Sequence, residues 1–178
     1  GNFIFRTREF EIGEFEYFIR GEEWEKHFEF WLAEIRRWWK DIMQVNMDHL
    51  VWHEIEDGER AHYSKRTVDI EYKYPFGLKE LHGIAYRTDF DMARHEKMSG
   101  EEMRYTDPET GEKILPHVIE PTFGIDRMLL VCMLEAYTEE QAPTADDGET
   151  DTRIVLKFPK HLAPIKVAVL PLSKIRCP

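Results

Sequence analysis

The sequence contains little cysteine, and its two cysteines do not form a recognisable pair. Cys132 lies inside an apolar run and Cys177 lies near the C-terminus, so neither a disulfide framework nor a paired metal-ligand spacing is present. We therefore expect a reducing, cytoplasmic setting. No apolar run is long enough to span a bilayer, and Arg6, Arg8 and Glu9 interrupt the N-terminal hydrophobic residues. This pattern predicts a soluble protein without a membrane partner.

Glycine and positive charge are also scarce. The ten glycines are scattered, so neither a P-loop nor a dinucleotide-binding fingerprint is available to hold phosphates. The 24 Lys and Arg residues against 35 Asp and Glu residues give a formal net charge of −11, which repels nucleic-acid backbones. Any contact with RNA must therefore be local. With 178 residues, 42% hydrophobic and 13% aromatic, the chain is long enough to bury one core.

Hydrophobic periodicity predicts an α+β fold with an antiparallel sheet flanked by helices. Residues 22–41 carry aromatic and aliphatic residues at helical spacing, which indicates a helix with a core-facing stripe. A strongly apolar helix is predicted at residues 125–137, and a third helix at 89–97 is ended by Gly100. Strands are predicted at residues 3–19, 50–55, 67–74, 78–86, 116–123, 153–158 and 165–170, with a hairpin at 105–113.

A segment rich in Glu, Asp, Thr and Ala separates the end of the chain from the rest. Residues 139–152 are predicted to form an acidic linker or surface insertion, which is the best candidate for a domain boundary. This divides the chain into residues 1–138, the segment 139–152 and residues 153–178. Because the chain opens directly in strand-like sequence and stops soon after an apolar run, we expect it to be part of a longer protein.

Three stretches combine charged and apolar residues in patterns that suggest a site. Residues 5–14 place two arginines and three acids on one predicted strand. Such a strand either binds a charged partner or lies at the surface with cross-strand ion pairs, and periodicity leaves both interpretations open. In residues 79–89, Glu80, His82 and Arg87 interrupt an otherwise apolar run. A buried acid there would need a cation or a hydrogen-bond donor.

The third stretch, residues 120–127, runs from a strand directly into a helix. Glu120 is predicted near the end of the strand and Arg127 in the first turn of the helix. A cation in that turn opposes the helix dipole, so an anionic partner for Arg127 is expected. That partner is either a phosphate or carboxylate of a ligand, or the protein's own Asp126 or Glu120.

Two other groups of residues resemble metal sites only superficially. His49, His53 and His62 match no familiar zinc spacing, and no cysteine joins them. The acids of residues 107–112 lack the alternation of oxygen ligands that a calcium loop requires, and we interpret them as a solvated turn.

Four blocks of sequence match one protein family in order and spacing. They are FRTREF with EFEYF in residues 5–18, KRTVDIEY in 65–72, ELHGIA in 80–85 and EPTFGIDR in 120–127. Together they resemble glycyl-tRNA synthetase of the homodimeric type. The first block is similar to the second strand of motif 2 and the last to motif 3, whereas residues 165–172 resemble the first strand of an anticodon-binding domain.

The resemblance implies a fold and a division of the chain. The fold would be a class II aminoacyl-tRNA synthetase-like antiparallel β-sheet flanked by helices, present in part. Residues 1–138 would be a partial catalytic domain. Residues 153–178 would hold the end of that domain and the first strand of a truncated anticodon-binding domain.

The resemblance also implies activation of glycine by ATP to glycyl-adenylate, followed by transfer to tRNA(Gly). Phe10 and Arg127 would cover the two faces of adenine. Glu80 would contact ATP and hold Mg2+, and Arg127 and Glu80 are the residues expected to serve catalysis. The expected ATP-binding residues are Phe5, Arg6, Thr7, Arg8, Glu9, Phe10, Glu80, Leu81, Gly124, Ile125, Asp126 and Arg127.

Glycine offers no side chain to grip, so selection would depend on its ammonium group and on filling the space beside it. Glu14 and Glu120 would hold the ammonium group, and Thr122 stands where the family usually has serine. The expected glycine-binding residues are Phe10, Glu11, Ile12, Gly13, Glu14, Glu120, Pro121, Thr122, Phe123 and Gly124.

Parts of the family pattern have no counterpart in this sequence. Motif 1, and the half of motif 2 whose arginine binds the α-phosphate, would precede Gly1, so we expect the chain alone to activate glycine poorly. The parent protein is expected to be a homodimer. Two alternatives are a synthetase-like module for nucleotide binding or assembly without catalysis, and a plain structural domain. The intact acids and arginine of the pocket favour the enzyme.

Overall fold

The computed structural model describes residues 1–143 and 150–171. Within them the strands are β1 (Ile12–Glu14), β2 (Tyr17–Ile19), β3 (Leu50–Glu54), β4 (Arg66–Tyr74), β5 (Gly77–Thr88), β6 (Tyr105–Thr106), β7 (Lys113–Ile114), β8 (His117–Gly124), β9 (Tyr137–Pro143) and β10 (Thr150–Leu156). The α-helices are α1 (Trp24–Arg37), α2 (Phe90–Ser99) and α3 (Ile125–Ala136). No helix in these residues is long and apolar enough to cross a membrane.

Six strands form one antiparallel sheet. Its order is β1-β8-β5-β4-β3. β2 also pairs with β8, next to residues 117–119, whereas β1 lies next to residues 122–124. The pairs β6–β7 and β9–β10 form separate two-stranded hairpins. The long strands β4, β5 and β8 therefore lie side by side at the centre, where their side chains alternate between two faces.

One face of this sheet is buried and the other is not. On β4, Val68, Ile70 and Tyr72 are buried, whereas the intervening Asp69 and Glu71 are half-buried. The buried face is covered by helices α1 and α3. The other face, which we call the open face, is polar and carries most of the titratable residues described below.

Helix α1 covers the buried face through its apolar stripe. Phe28 and Ile35 are buried, and a single π-helical turn (Trp38–Ile42) continues the helix and buries Trp39. The indole Nε1 of Trp39 donates to Nε2 of His82 on β5 at 2.7 Å. Helix α3 packs beside it and is tied to the sheet because the Tyr72 hydroxyl donates to Glu135 at 2.7 Å.

A register shift between β4 and β5 changes which residues share a face. The shift lies between Ile70 and Glu71, so that Ile70 is paired with His82 and Glu71 with Glu80. Leu81 is the extra residue, and both Leu81 and His82 are buried. Such a bulge redirects the side chains beyond it, and here it brings Glu80 to the same face as Glu71.

Most predicted elements are confirmed, with ends shifted by a few residues. They are the helices at 22–41, 89–97 and 125–137, the strands at 50–55, 67–74, 78–86, 116–123 and 153–158, and the hairpin at 105–113. Gly100 ends α2 with a positive φ of 74°, as expected for a left-handed C-terminal residue. Asp89 occupies the N-cap position but makes no side-chain capping bond.

The prediction of a continuous strand at residues 3–19 is wrong before residue 12. Phe3–Phe5 is a 3-10 turn, and Asn2 and Phe3 have φ angles of 57° and 56°. These left-handed conformations reverse the chain, and the Phe5 amide donates to the Asn2 carbonyl at 3.1 Å. Only β1 and β2 of the predicted strand form. The alternation of charged and aromatic residues in this stretch therefore belongs to a folded loop.

The end of the chain also differs from the prediction. No strand forms at residues 165–171, and the apolar side chains there are exposed, with Val169 at 92%. Leu172, the last residue of the run compared with an anticodon-binding domain, lies outside the described residues. Of the expected linker, residues 144–149 also lie outside them, while both flanks form the β9–β10 hairpin instead of irregular chain. The division into domains stays a prediction.

Gly21 provides a test of how β8 packs against the start of α1. A Cβ atom added at Gly21 would lie 2.7 Å from two atoms of the His117 ring, which is closer than real Cβ contacts allow. We expect Gly21→Ala to lower the free energy of unfolding by about 1–3 kcal/mol, measured by urea denaturation. Gly58→Ala is the control because nothing lies within 4 Å of its added Cβ. Equal stability of the two variants would contradict this packing.

Candidate active site

A cavity of about 310 Å³ lies between the N-terminal loop, β5, the end of β8 and the first turn of α3. Most residues expected to bind ATP line it: Phe5, Arg6, Thr7, Phe10, Glu80, Leu81, Gly124, Asp126 and Arg127. Arg8, Glu9 and Ile125 are not among its lining residues. The structure thus brings together residues that are more than 120 positions apart in sequence, as the hydrogen bond between Arg127 and Phe5 spans 122 positions.

Arg127 is the most extensively held side chain of this cavity. Its Nη1 donates to the Glu80 carbonyl at 2.8 Å and lies 3.3 Å from the Glu80 carboxylate. Its Nε donates to the Phe5 carbonyl at 3.4 Å, and its Cζ lies 4.4 Å from the centre of the Phe5 ring. Glu80 is therefore the anionic partner, rather than Asp126 or Glu120. Sequence reasoning missed it because the pairing depends on the position of β5 beside α3.

Asp126 has a different role, which is to anchor the loop over the cavity. Its carboxylate accepts a hydrogen bond from the backbone amide of Glu11 at 2.9 Å. The Ile125 amide donates to the Glu11 carbonyl at 3.0 Å. A carboxylate in the first turn of α3 is also favoured by the helix dipole. Phe10, next to this anchor, is 64% exposed at the mouth of the cavity.

The residues expected to bind glycine divide between the two faces of the sheet. Glu11, Ile12, Thr122 and Gly124 line the cavity with Phe10. Pro121 and Phe123 alternate with Thr122 on β8 and lie on the buried face, where the Phe123 ring stacks on His82 at 4.8 Å. Gly13 and Phe123 line a neighbouring apolar cavity beside α1. Neither cavity includes Glu14 or Glu120 among its lining residues.

A row of paired residues crosses the open face next to the cavity. The register pairs Asp69 with Gly83, Gly83 with Thr122, and Thr122 with Glu14. A Cβ added at Gly83 would lie only 3.1 Å from the Asp69 carboxylate, so glycine leaves the floor of the face open here. Burial raises the pKa of Asp69 to about 6, and the nearby Glu80 carboxylate adds to that effect.

Glu120 lies two residues before Thr122 on the same face and belongs to an ion-pair network. Its carboxylate accepts from Arg87 Nη1 at 2.8 Å, while Arg87 also binds Asp91 through Nε at 2.7 Å. Burial raises the pKa of Glu120 to about 7, and Glu16 adds to the rise, although Arg87 opposes it. Glu120 is therefore partly protonated near neutral pH, and a cation bound beside it would favour its ionised form.

His82 was selected from the sequence as a charged interruption, but the structure places it in the core. It is 2% exposed, and its ring lies between those of Trp39 and Phe123. Burial lowers its pKa to about 3, so the ring is neutral at physiological pH. Because Nε2 accepts the bond from Trp39, the ring proton resides on Nδ1. His82 therefore positions β5 under α1.

The histidines considered for a metal site have separate partners. His49 Nδ1 lies 2.6 Å from Glu135, His53 lies 3.7 Å from Glu71, and the His62 ring packs on Phe90. Among the described residues, no group of three or more His, Cys, Asp or Glu side chains is arranged to hold a metal ion.

Comparison with known proteins finds relatives that align with nearly all of this chain. No family model matches the chain. Glycine–tRNA ligase of Corynebacterium efficiens is 49% identical over 180 residues, and that of Mesoplasma florum is 46% identical over 174; each alignment covers 98% of this chain and 38% of the relative. The ligase of Thermus thermophilus is 46% identical over 190 residues, with coverage of 98% and 36%. The chain thus spans less than two fifths of the length of these relatives.

The fold has a counterpart among solved structures. Prolyl-tRNA synthetase from Cryptosporidium parvum, complexed with L-proline and AMP, superposes with a TM-score of 0.54 and 18% sequence identity. The match covers 74% of this chain and 27% of that one. The fold is therefore that of part of a class II aminoacyl-tRNA synthetase, as the sequence predicted.

Replacing Glu120 by glutamine tests the electrostatics of the open face. The pKa of Glu120 is raised from 4.5 to about 7, so between these values the folded state binds more protons than the unfolded state. The contribution of Glu120 to the free energy of unfolding is then fully present below pH 4.5 and is lost as the pH rises through 7. Relative to Glu120→Gln, we expect the wild type to lose about 2–3 kcal/mol of unfolding free energy between pH 4.5 and 7.5.

Urea denaturation at a series of pH values measures this difference. Asp69 titrates in both proteins, so its contribution cancels in the comparison. Parallel pH profiles for the wild type and Glu120→Gln would show that Glu120 ionises without cost in the folded protein.

Proposed function

We propose, on the premise that this chain is homologous to one segment of the glycine–tRNA ligases, that the protein acts in the ATP-dependent charging of tRNA(Gly) with glycine. The observation that carries the proposal is the cavity under Arg127, which adjoins a row of acids on the open face of the sheet. A nucleotide and a small cationic substrate group could bind there side by side. The whole protein is proposed to be a cytoplasmic homodimer, as the family resemblance implies.

In this proposal adenine binds between Phe10 and Arg127. A guanidinium group and an aromatic ring hold a flat base through cation–π and stacking interactions. The exposed ring of Phe10 is accessible at the mouth of the cavity. Arg6, which lines the same cavity, would provide hydrogen-bond donors for the phosphates or ribose. The Thr7 hydroxyl donates to the Glu9 carbonyl at 2.6 Å and would act as an acceptor.

Glu80 is the residue proposed to hold Mg2+. Its carboxylate is 53% exposed beside the cavity, and Mg2+ prefers carboxylate and phosphate oxygens. A bound Mg2+ would neutralise part of the phosphate charge. The net negative charge of the chain makes such neutralisation more important, because phosphates are otherwise repelled.

Glu14 and Glu120 are proposed to hold the ammonium group of glycine. Both lie on the open face, Glu14 paired with Thr122 and Glu120 two residues before it on β8. The ammonium cation would lower the raised pKa of Glu120 and favour the carboxylate. The hydroxyl and methyl groups of Thr122 would fill the space that a larger amino acid needs, which favours glycine over alanine.

The reaction would depend on positioning and charge stabilisation, without an enzyme nucleophile. An oxygen of the glycine carboxylate attacks the α-phosphorus of ATP, and pyrophosphate leaves. A terminal hydroxyl of tRNA then attacks the carbonyl carbon of the adenylate, and AMP leaves. In the first step negative charge develops on the phosphate oxygens, where Arg6 of the cavity lining would supply positive charge. In the second step it develops on the carbonyl oxygen of the adenylate and on the phosphate of the leaving AMP.

Thermal unfolding with substrate analogues tests this function directly. A non-hydrolysable glycyl-adenylate analogue at about 100 times its dissociation constant stabilises the folded state by about 2.7 kcal/mol. For a chain of this size we expect Tm to rise by about 5–10 °C. The alanyl analogue should raise it much less. No shift with the glycyl analogue or with Mg·ATP would reject the proposed function for this chain.

Variants separate the two halves of the pocket. Arg127→Ala should reduce the rise in Tm that both Mg·ATP and the glycyl analogue cause. Glu14→Gln should reduce the rise caused by the glycyl analogue but leave the rise caused by Mg·ATP unchanged. Glu112→Gln is the matched control, because this acid lies in the β6–β7 hairpin and pairs with Arg20. If all three variants lost the ligand-induced rise in Tm equally, the effect would be general destabilisation of the protein.

A further inference from the structure

We infer that Phe5 is a positioning residue for ATP binding, which holds Arg127 in the orientation that covers adenine. The inference rests on the proposed function and extends the stack of groups around adenine by one residue. The order of the layers would be Phe5, Arg127, adenine and Phe10. Phe5 would not touch the nucleotide base and would act through the guanidinium group.

The contacts of Arg127 fix both the face and the edge of its guanidinium group. The Phe5 ring lies 4.4 Å from Cζ, so one face of the group is occupied. The edge donates from Nε to the Phe5 carbonyl at 3.4 Å and from Nη1 to the Glu80 carbonyl at 2.8 Å. Because the guanidinium is planar, these contacts together determine its plane. The remaining face is the one available to a base.

Phe5 is itself packed into an aromatic cluster. It is 9% exposed, and its ring makes edge-on contacts with Tyr74 and Phe76, each at 5.1 Å between ring centres. Tyr74 and Phe76 stack on each other at 4.9 Å. The left-handed residues Asn2 and Phe3 turn the chain so that Phe5 enters this cluster. A strained turn at this point is consistent with a functional requirement for the position of Phe5.

The consequence for binding is a smaller ordering cost. An arginine side chain has many rotamers, and fixing them when the ligand binds weakens affinity. A guanidinium already held against Phe5 has lost that freedom before ATP arrives. Removing the ring should therefore weaken binding of the base, even though the charge of Arg127 is unchanged.

Phe5→Leu is the variant that tests the role of the ring. Leucine keeps an apolar side chain in the cluster but removes the π face beneath Arg127. We expect the affinity of the 178-residue chain for a non-hydrolysable ATP analogue with Mg2+ to fall about 3- to 30-fold, measured by isothermal titration calorimetry.

Phe76→Leu is the matched structural control. Phe76 belongs to the same aromatic cluster but is not among the residues that line the cavity. The Phe76→Leu variant should lose as much stability as Phe5→Leu but keep its affinity for the analogue. Equal losses of affinity in the two variants would overturn the inference, because they would show that Phe5 acts only through core packing.

A double-mutant cycle shows whether Phe5 acts through Arg127. In the Arg127→Ala background, Phe5→Leu should cause no further loss of affinity, since the group it orients is absent. Additive losses would mean that Phe5 contributes independently, which contradicts a positioning role.

A measurement without nucleotide keeps the inference separate from the proposed function. If the wild type does not bind the analogue, the proposed function fails for this chain, and the inference is decided by nuclear magnetic resonance of the Arg127 Nε–H group. This group should be rigid in the wild type and in Phe76→Leu but mobile in Phe5→Leu. Equal mobility in all three proteins would overturn the positioning role.

Discussion

The site depends on the unequal covering of a sheet whose side chains alternate between two faces. Helices α1 and α3 both pack on one face, where Trp39 and Tyr72 form the hydrogen bonds that join helix to strand. The opposite face of β4, β5 and β8 is left for polar residues. Since each strand must place every second side chain there, the acids of this face follow from the same pattern that builds the core.

That arrangement accumulates negative charge in a partly buried place, which is unfavourable without cations. The raised pKa values of Asp69 and Glu120 show the cost, because each carboxyl group holds its proton more strongly than it would in water. Arg87 offsets the charge at one end of the face and Arg127 at the other. A surface of this kind attracts a cationic group in the middle and anionic groups only close to the arginines.

Local patterns were sufficient for the central strands and helices, because each has a continuous periodicity. The alternation in β4 and the stripe of α1 depend on neighbouring residues and were read correctly from the sequence. The loop before β1 was not, since Asn2 and Phe3 adopt left-handed conformations that alternation cannot reveal. The apolar residues after 165 were also misleading: a strand requires a partner, and the described residues provide none there.

The candidate site, too, could be predicted from the sequence only where it depends on residues that are close together in the chain. The sequence indicated that Arg127 requires an anion, because a cation in the first turn of α3 opposes the helix dipole. It could not identify the partner, which lies 47 positions away in Glu80. The position of the Phe5 ring, 122 positions away, was equally hidden.

An arginine placed against the dipole is a local conflict, and it persists because distant groups compensate for it. The carbonyl groups of Phe5 and Glu80 present their negative ends to the guanidinium, and the ring of Phe5 presents its negative face. The Glu80 carboxylate adds an ion pair at the edge of the group, 3.3 Å from Nη1, so none of these contacts covers the face turned away from Phe5. A buried carboxylate on that face would have satisfied Arg127 and closed it to ligands. The contacts with Phe5 and Glu80 instead leave that face uncovered, as a pocket for a flat base requires.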